Sequence, residues 1–143
     1  MDISIGESIT LNIMREQSIE MPENAKILYL HSKGVRTNGQ NPCITDWTNY
    51  MTYFVVECWR DCQIYLDLYD TTGVNLSQEV AWHYSGNFWW ANAGYISTLD
   101  ECSREPYLAP EMWVCSKTEK MGCIFYSHIN HYLERYPDNL YRA

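Results

Sequence analysis

Two groups of residues in this sequence have the types and spacing to handle a phosphorylated, hydroxyl-rich ligand. The first is His31-Ser32-Lys33-Gly34. His31 and Ser32 offer hydrogen-bonding groups, Lys33 brings a positive charge to a diphosphate oxygen, and Gly34 lets the backbone pass close to it. The second is HYSGNFWWA, His83 to Ala91. Here His83, Ser85 and Asn87 supply polar groups for sugar hydroxyls, Gly86 allows close backbone approach, and Trp89 or Trp90 gives a stacking face. Group transfer also needs an acid or base. Of the central carboxylates, Glu111 has the most distinctive setting, between Pro110 and Met112-Trp113 beside an expected strand.

Strand alternation sorts the aromatic run: Asn87 and Trp89 point to one face, Gly86, Phe88 and Trp90 to the other. One ring is therefore expected to face the site and the other to pack.

Other chemistries find less support. There is no G-x-S-x-G elbow, and HSKG lacks the glycine spacing and magnesium-binding hydroxyl of a phosphate loop. The six cysteines include no C-x-x-C pair, and Cys58 and Cys62 stand at helical spacing, so no metal ligand is assigned. The N-terminus carries acids where a secretory signal has an apolar run. That predicts a cytoplasmic, reducing location and free, mostly buried thiols. A formal net charge of −8 with ten scattered Lys and Arg argues against nucleic acid as partner. No run approaches the ~18 apolar residues of a membrane span, so no transmembrane segment is expected.

The elements that must position these residues are read from periodicity. At 143 residues the chain suits one domain over 1–143. SITLNIMREQSIE predicts a short helix started by Ser8 or Thr10. AKILYL then predicts a buried strand that ends in the polar His31 cluster, where open α/β sheets place their ligands. VRTNGQNPCIT is a loop. From Thr45 or Asp46 as cap, apolar residues at Trp47, Tyr50, Met51, Phe54, Val55, Cys58, Trp59 and Cys62 predict one long helix with a single buried stripe. TTGVNL is a turn and short strand, EVAWHYSGNFWWANAGYI strand-like, and LDECSRE a short helix capped by Ser97 or Thr98. YLAPEMWVCS is a loop entering a strand, and the tail from Cys123 a helix or turn pair around Pro137. This order points to an α/β fold.

The order of ILYLHSKGV, DWTNYMTYFVVECWRDC, YDTTGVN, HYSGNFWWANAGYISTL, PEMWV and SHINHYLERYP resembles a family of small glycosyltransferase-like proteins of bacterial polysaccharide clusters and large DNA viruses. The resemblance runs from about Gly6 to Tyr141, and HSKG and HYSGNFWWA are its most specific blocks. It implies a partial GT-A-like, Rossmann-like mixed sheet flanked by helices, a nucleotide-diphospho-sugar donor and a glycan or protein acceptor. GT-A strands end in an Asp-x-Asp motif that holds a divalent metal, Mn or Mg, against the diphosphate. Here His31-Ser32-Lys33 takes that place, and Lys33 is left to neutralise the diphosphate. The resemblance carries sugar contacts onto Ser85, Gly86 and Asn87, and the acceptor base onto Glu111. It also implies a nucleotide-binding half that this sequence is short of, by about a hundred residues on usual domain sizes. The chain is then a fragment, a short form that binds sugar without transfer, or one half of a site completed by a partner chain.

The leading expectation is a glycosyltransferase or glycosyltransferase-like protein. Its rivals are a non-catalytic carbohydrate- or partner-binding module and a structural protein whose aromatic strand forms an oligomer interface.

Overall fold

The structure, a computed structural model, describes residues 3–32 and 40–142. Lys33 and Gly34 lie outside the described residues. The first helix, α1 (Ile3–Ser18), starts earlier than Ser8 or Thr10, and its buried positions include Ser8, Leu11 and Ser18. Strand β1 (Lys26–Tyr29) follows; of its residues only Tyr29 is buried. The continuous apolar run suggested a strand covered on both faces. Instead β1 is an end strand, which leaves Ile27 and Leu28 half-buried and Leu30 exposed.

Helix α2 (Pro42–Thr52) begins at Asn41, whose side chain accepts hydrogen bonds from the Cys43 and Ile44 amides at 3.0 and 3.5 Å, with Pro42 in the first turn. Asn41 therefore takes the capping role expected of Thr45 or Asp46. Asp46 turns inward, where its carboxylate accepts from Arg135 Nε at 2.6 Å and from the Tyr136 amide at 3.0 Å. The Arg135 guanidinium holds the Asp46 carboxyl below its usual range. A carboxyl depressed by folding stabilises at pH values above its unfolded pKa, and that contribution is lost as pH falls through the folded value. Asp46→Asn is expected to lower the thermal midpoint at neutral pH, with the gap to the parent closing below about pH 4; melts from pH 7 to pH 3 check this.

The long helix is interrupted. Residues Tyr53–Glu57 form a π-helical turn before α3 (Trp59–Leu66). The wider turn rotates the following face out of the 3.6-residue register. Trp59, expected on the buried stripe, is 44% exposed, and Arg60 lies over its ring at 4.8 Å.

Strand β2 (Thr71–Val74) is buried along its whole length. Strands β3 (Leu76–Ser77) and β4 (His83–Tyr84) form a two-stranded ladder, and β5 (Trp89–Asn92) follows a turn at Ser85–Asn87. The short helix α4 (Ala93–Ile96) precedes Ser97 instead of following it. The segment 101–108 is irregular, where a helix was expected near LDECSRE. PEMW belongs to α5 (Ala109–Trp113), not to a loop, and Cys123 begins no helix because it lies in β6 (Met121–Phe125). Beyond β6 the chain makes turns and a 3-10 turn at Asp138–Leu140.

The four-stranded sheet has the order β1-β5-β2-β6. It is mixed: β1 and β2 flank β5 antiparallel, and β6 runs parallel to β2. The fold is thus α/β with a mixed sheet flanked by helices. β5 divides its side chains between two cores, as period-two alternation requires. Trp89 and Ala91 join Leu11, Tyr29, Tyr84 and Trp113 on one face, while Phe88 and Trp90 pack with Trp47, Tyr50, Met51 and Phe54 on the other. No described helix is long and apolar enough to cross a membrane. All six cysteines carry free thiols, and burial pushes those of Cys62 and Cys115 up to about 12.

Candidate functional site

The turn before β5 gathers most of the predicted residues. Gly86 and Asn87 both take left-handed backbone, φ 94° and 62°, and the Asn87 amide donates back to the Tyr84 carbonyl at 2.9 Å. Glycine and asparagine adopt this conformation at low cost. A side chain grips each backbone polar group of Gly86. Its N–H donates to Glu111 Oε1 at 3.1 Å, and its carbonyl accepts from His31 Nε2 at 2.8 Å. Because a carbonyl only accepts, His31 carries a hydrogen on Nε2. The His31 ring also stacks on Tyr29 and meets Phe88 edge-on, at 5.7 and 5.2 Å between centroids.

Asn87 and Trp89 lie beneath this turn. The Asn87 amide donates to Glu7 Oε1 at 3.1 Å and to the Pro110 carbonyl at 3.3 Å, while its oxygen accepts from Trp89 Nε1 at 2.9 Å. Asn87 is 3% exposed and Trp89 is fully buried between Tyr29 and Trp113. Trp89 has no face left for a ligand, while Trp90 is half-buried and donates to the Val55 carbonyl at 2.7 Å. Trp89 is therefore not the ring that faces a ligand, because α1 and α5 residues pack over its face of β5. The same burial removes Trp89 as an oligomer surface.

Glu7 is the hub that sequence reasoning missed. Its Oε1 accepts from Tyr29 OH at 3.0 Å and from Asn87, and lies 3.6 Å from His31 Nε2. Burial and this carboxylate raise the Tyr29 phenol far above its ordinary value. The signal was present: Glu7 stands four residues before buried Leu11 and seven before the half-buried Met14, so it is a carboxylate on the apolar stripe of α1.

His83 and Ser85 stand apart from this clamp, in the wall of an open cleft of about 630 Å³. The lining also includes Asn75, just past β2, and residues 126–132, just past β6. The β2–β6 register shifts at Gly73/Val74, so β6 carries one extra residue immediately before Asn75 and Ser127 meet. Three of the chain's four histidines, His83, His128 and His131, line the cleft.

Asn75 ties the cleft together. Its Oδ1 accepts from the Ser127 amide at 2.8 Å and from Tyr50 OH at 3.1 Å, and its Nδ2 donates to Ser127 Oγ at 3.1 Å. Its carbonyl accepts from the Ser85 amide at 3.1 Å. Ser127 Oγ in turn meets His131 Nε2 at 2.8 Å. His131 is sandwiched between Trp47 and Tyr50, at 5.5 and 5.0 Å, and burial pushes its imidazole down to about 4, so the ring is neutral at pH 7. Asn75→Ala removes the acceptor of two donors, one of them the buried Tyr50 hydroxyl, and places alanine at φ 51°. It is expected to cost about 1–3 kcal/mol, read as a lower urea midpoint at unchanged slope.

Exposed Tyr126 and Tyr132 add rings to the rim. Although the Tyr132 ring is largely exposed, partial desolvation of its hydroxyl and then the Glu111 carboxylate raise its phenol, so Glu111 lies near this rim while its Oε1 is held by Gly86. Ser32 is exposed at the end of β1. Among the described residues no three His, Cys, Asp or Glu side chains converge where a metal ion could sit.

Residues 4–112 match the family model described as a domain of unknown function, DUF8361. The chain belongs to the DUF8361 family. The DUF8361 segment contains His31, the stretch from His83 to Trp89 and Glu111, whereas the cleft wall formed by residues 126–132 lies beyond it. No curated protein and no solved structure matches this DUF8361 chain.

Proposed function

We propose that the chain is a glycosyltransferase-like protein that holds a carbohydrate in the cleft lined by His83 and Ser85. The observation that carries this reading is the composition of that cleft. Hydroxyl and amide groups of Ser77, Ser85, Ser127 and Asn130 line it, aromatic rings stand at its rim, and its volume of about 630 Å³ suits a ligand of small-molecule size. Such a mixture matches a sugar, whose edges hydrogen-bond and whose ring faces stack.

In this reading the residues of the Gly86 turn act from beneath. Glu111, His31, Asn87 and Trp89 fix the backbone that presents Ser85 to the ligand. A nucleotide-diphospho-sugar donor and a partial GT-A-like architecture belong to the same proposal, with Ser32, Lys33 and Gly34 on the diphosphate. A partner chain bringing the nucleotide-binding half is its extension. A second reading, a carbohydrate-binding module without transfer, draws support from the place of Glu111, the carboxylate proposed as acceptor base, which holds the Gly86 amide through Oε1 and is not among the residues that line the cleft.

Calorimetric titration with nucleotide diphosphates, nucleotide sugars and neutral oligosaccharides, with and without manganese, tests the proposal. Binding of a nucleotide sugar that is weakened by Ser85→Ala supports it. Binding of oligosaccharide alone selects the binding module, and no binding by any of them rejects a carbohydrate role for the cleft.

A further inference from the structure

We infer that His83, through Nε2, is the base that takes the proton of the acceptor hydroxyl, an assignment that rests on the carbohydrate reading of the cleft. Three features of the residue carry it. Its Nδ1 lies 2.8 Å from the Ala81 carbonyl. A carbonyl only accepts, so Nδ1 bears a hydrogen and the neutral ring has its lone pair on Nε2. The side chain is held in place: His83 is 9% exposed and is paired with Ser77 in the β3–β4 ladder. Finally, Nε2 has no hydrogen-bond partner among the described residues, is not enclosed by protein, and belongs to a ring that lines the cleft. An imidazole whose tautomer is fixed by a carbonyl behind it and whose other nitrogen is open to a cavity is oriented to accept a proton.

The other bases around the cleft lack one of these features. Glu111 is held by the Gly86 amide at Oε1 but is not among the residues that line the cleft, and His131 Nε2 is taken by Ser127 Oγ. Glu79 and His128 line the cleft as exposed side chains, with no hydrogen bond to hold either one among the described residues.

The step is a single displacement. The acceptor oxygen forms a bond to the anomeric carbon of a nucleotide-diphospho-sugar, the bond from that carbon to the diphosphate oxygen breaks, and the electron pair leaves with the diphosphate. The acceptor's proton goes to His83 Nε2 and later to solvent.

The test separates this role from the reading beneath it. His83→Asn places an amide nitrogen where Nδ1 stands, which keeps the Ala81 hydrogen bond and deletes Nε2. His83→Gln is the second variant, and a native-like amide NMR spectrum verifies the fold of each. The probes are methyl glycosides of glucose, galactose, mannose and xylose, with the corresponding nucleotide sugars as donors. Expected are a long-range imidazole 15N spectrum of the Nδ1–H tautomer and a shift of His83 Nε2 when a glycoside binds. In His83→Asn transfer should fall about 100-fold or more, well beyond the loss of glycoside affinity, about tenfold, that goes with one deleted hydrogen bond.

Glycoside binding that leaves Nε2 unmoved, or a variant that transfers at the parental rate, overturns the base and leaves the carbohydrate reading standing. Binding with a shifted Nε2 but no turnover by the parent chain reduces His83 to a binding residue and also overturns the base. Absence of binding by every glycoside and nucleotide sugar overturns the reading and the base together.

Discussion

Gly86→Ala is expected to unfold at a thermal midpoint lower by roughly 10 °C. A Cβ at this position would lie 3.1 Å from Trp47 Cζ2 and collide with the sulfur of Met51, and both are fully buried side chains with little room to move. The backbone adds its own cost, since φ 94° is a conformation that L side chains rarely adopt. Left-handed strain of about 1–2 kcal/mol and overpacking of about 1–3 kcal/mol sum to ~2–5 kcal/mol. At roughly 3–4 °C per kcal/mol for a domain of this size, that gives the expected shift. The variant should also lose ligand binding in the cleft, because Gly86 carries the hydrogen bonds from His31 and to Glu111 that set the position of Ser85. A melt within two or three degrees of the parent would mean that the turn relaxes freely and that the clamp does not define its shape.

Trp89→Ala is expected to cost about 3–5 kcal/mol, the range for deleting a large buried ring. The indole is fully buried, packs between Tyr29 and Trp113, and supplies the donor for Asn87 Oδ1. Trp89→Phe separates the two contributions: it keeps most of the ring but leaves the Asn87 oxygen without its donor, and should cost about 1–3 kcal/mol. Urea unfolding of both variants gives the comparison. Sedimentation should find the parent and Trp89→Phe at the same mass. A mild Trp89→Ala phenotype with a changed mass would return the ring to an intermolecular surface.

The fold was legible where the pattern was local and strong. The α1 stripe, the run before His31 and the helical spacing from Trp47 to Cys62 each led to an element of the expected type. The misses share a cause, since they depend on which element covers which. Ile27 and Leu28 read as fully buried because a continuous apolar run does not reveal its place at a sheet edge. Trp59 left the stripe because one π-helical turn shifts everything after it, and nothing in YFVVE announces the insertion. At the site, Ser85-Gly86-Asn87 was recognisable from the clash of small polar residues with a following aromatic run. His31 and Glu111 were singled out separately, yet they grip the same peptide group. The partners Asn75, Ser127 and His131 were not legible, because they come from two strand ends far apart in sequence that meet only through the β2–β6 pairing. Glu7 was the one partner with a sequence signal, an acid on an apolar helical face.

The sandwich of His131 against Trp47 has an optical consequence. Five of the six tryptophans lie away from the cleft lining, while Trp47 belongs to it and stacks on the imidazole at an interplanar angle of 10°. A ring pressed against a titratable imidazole emits according to that neighbour's charge and distance. Trp47 is therefore a built-in fluorophore for the cleft, and the difference in emission between the parent chain and Trp47→Phe isolates its response. Any molecule that enters between Ser85 and His131 becomes visible by its effect on this one indole, without a label and before its chemical identity is known.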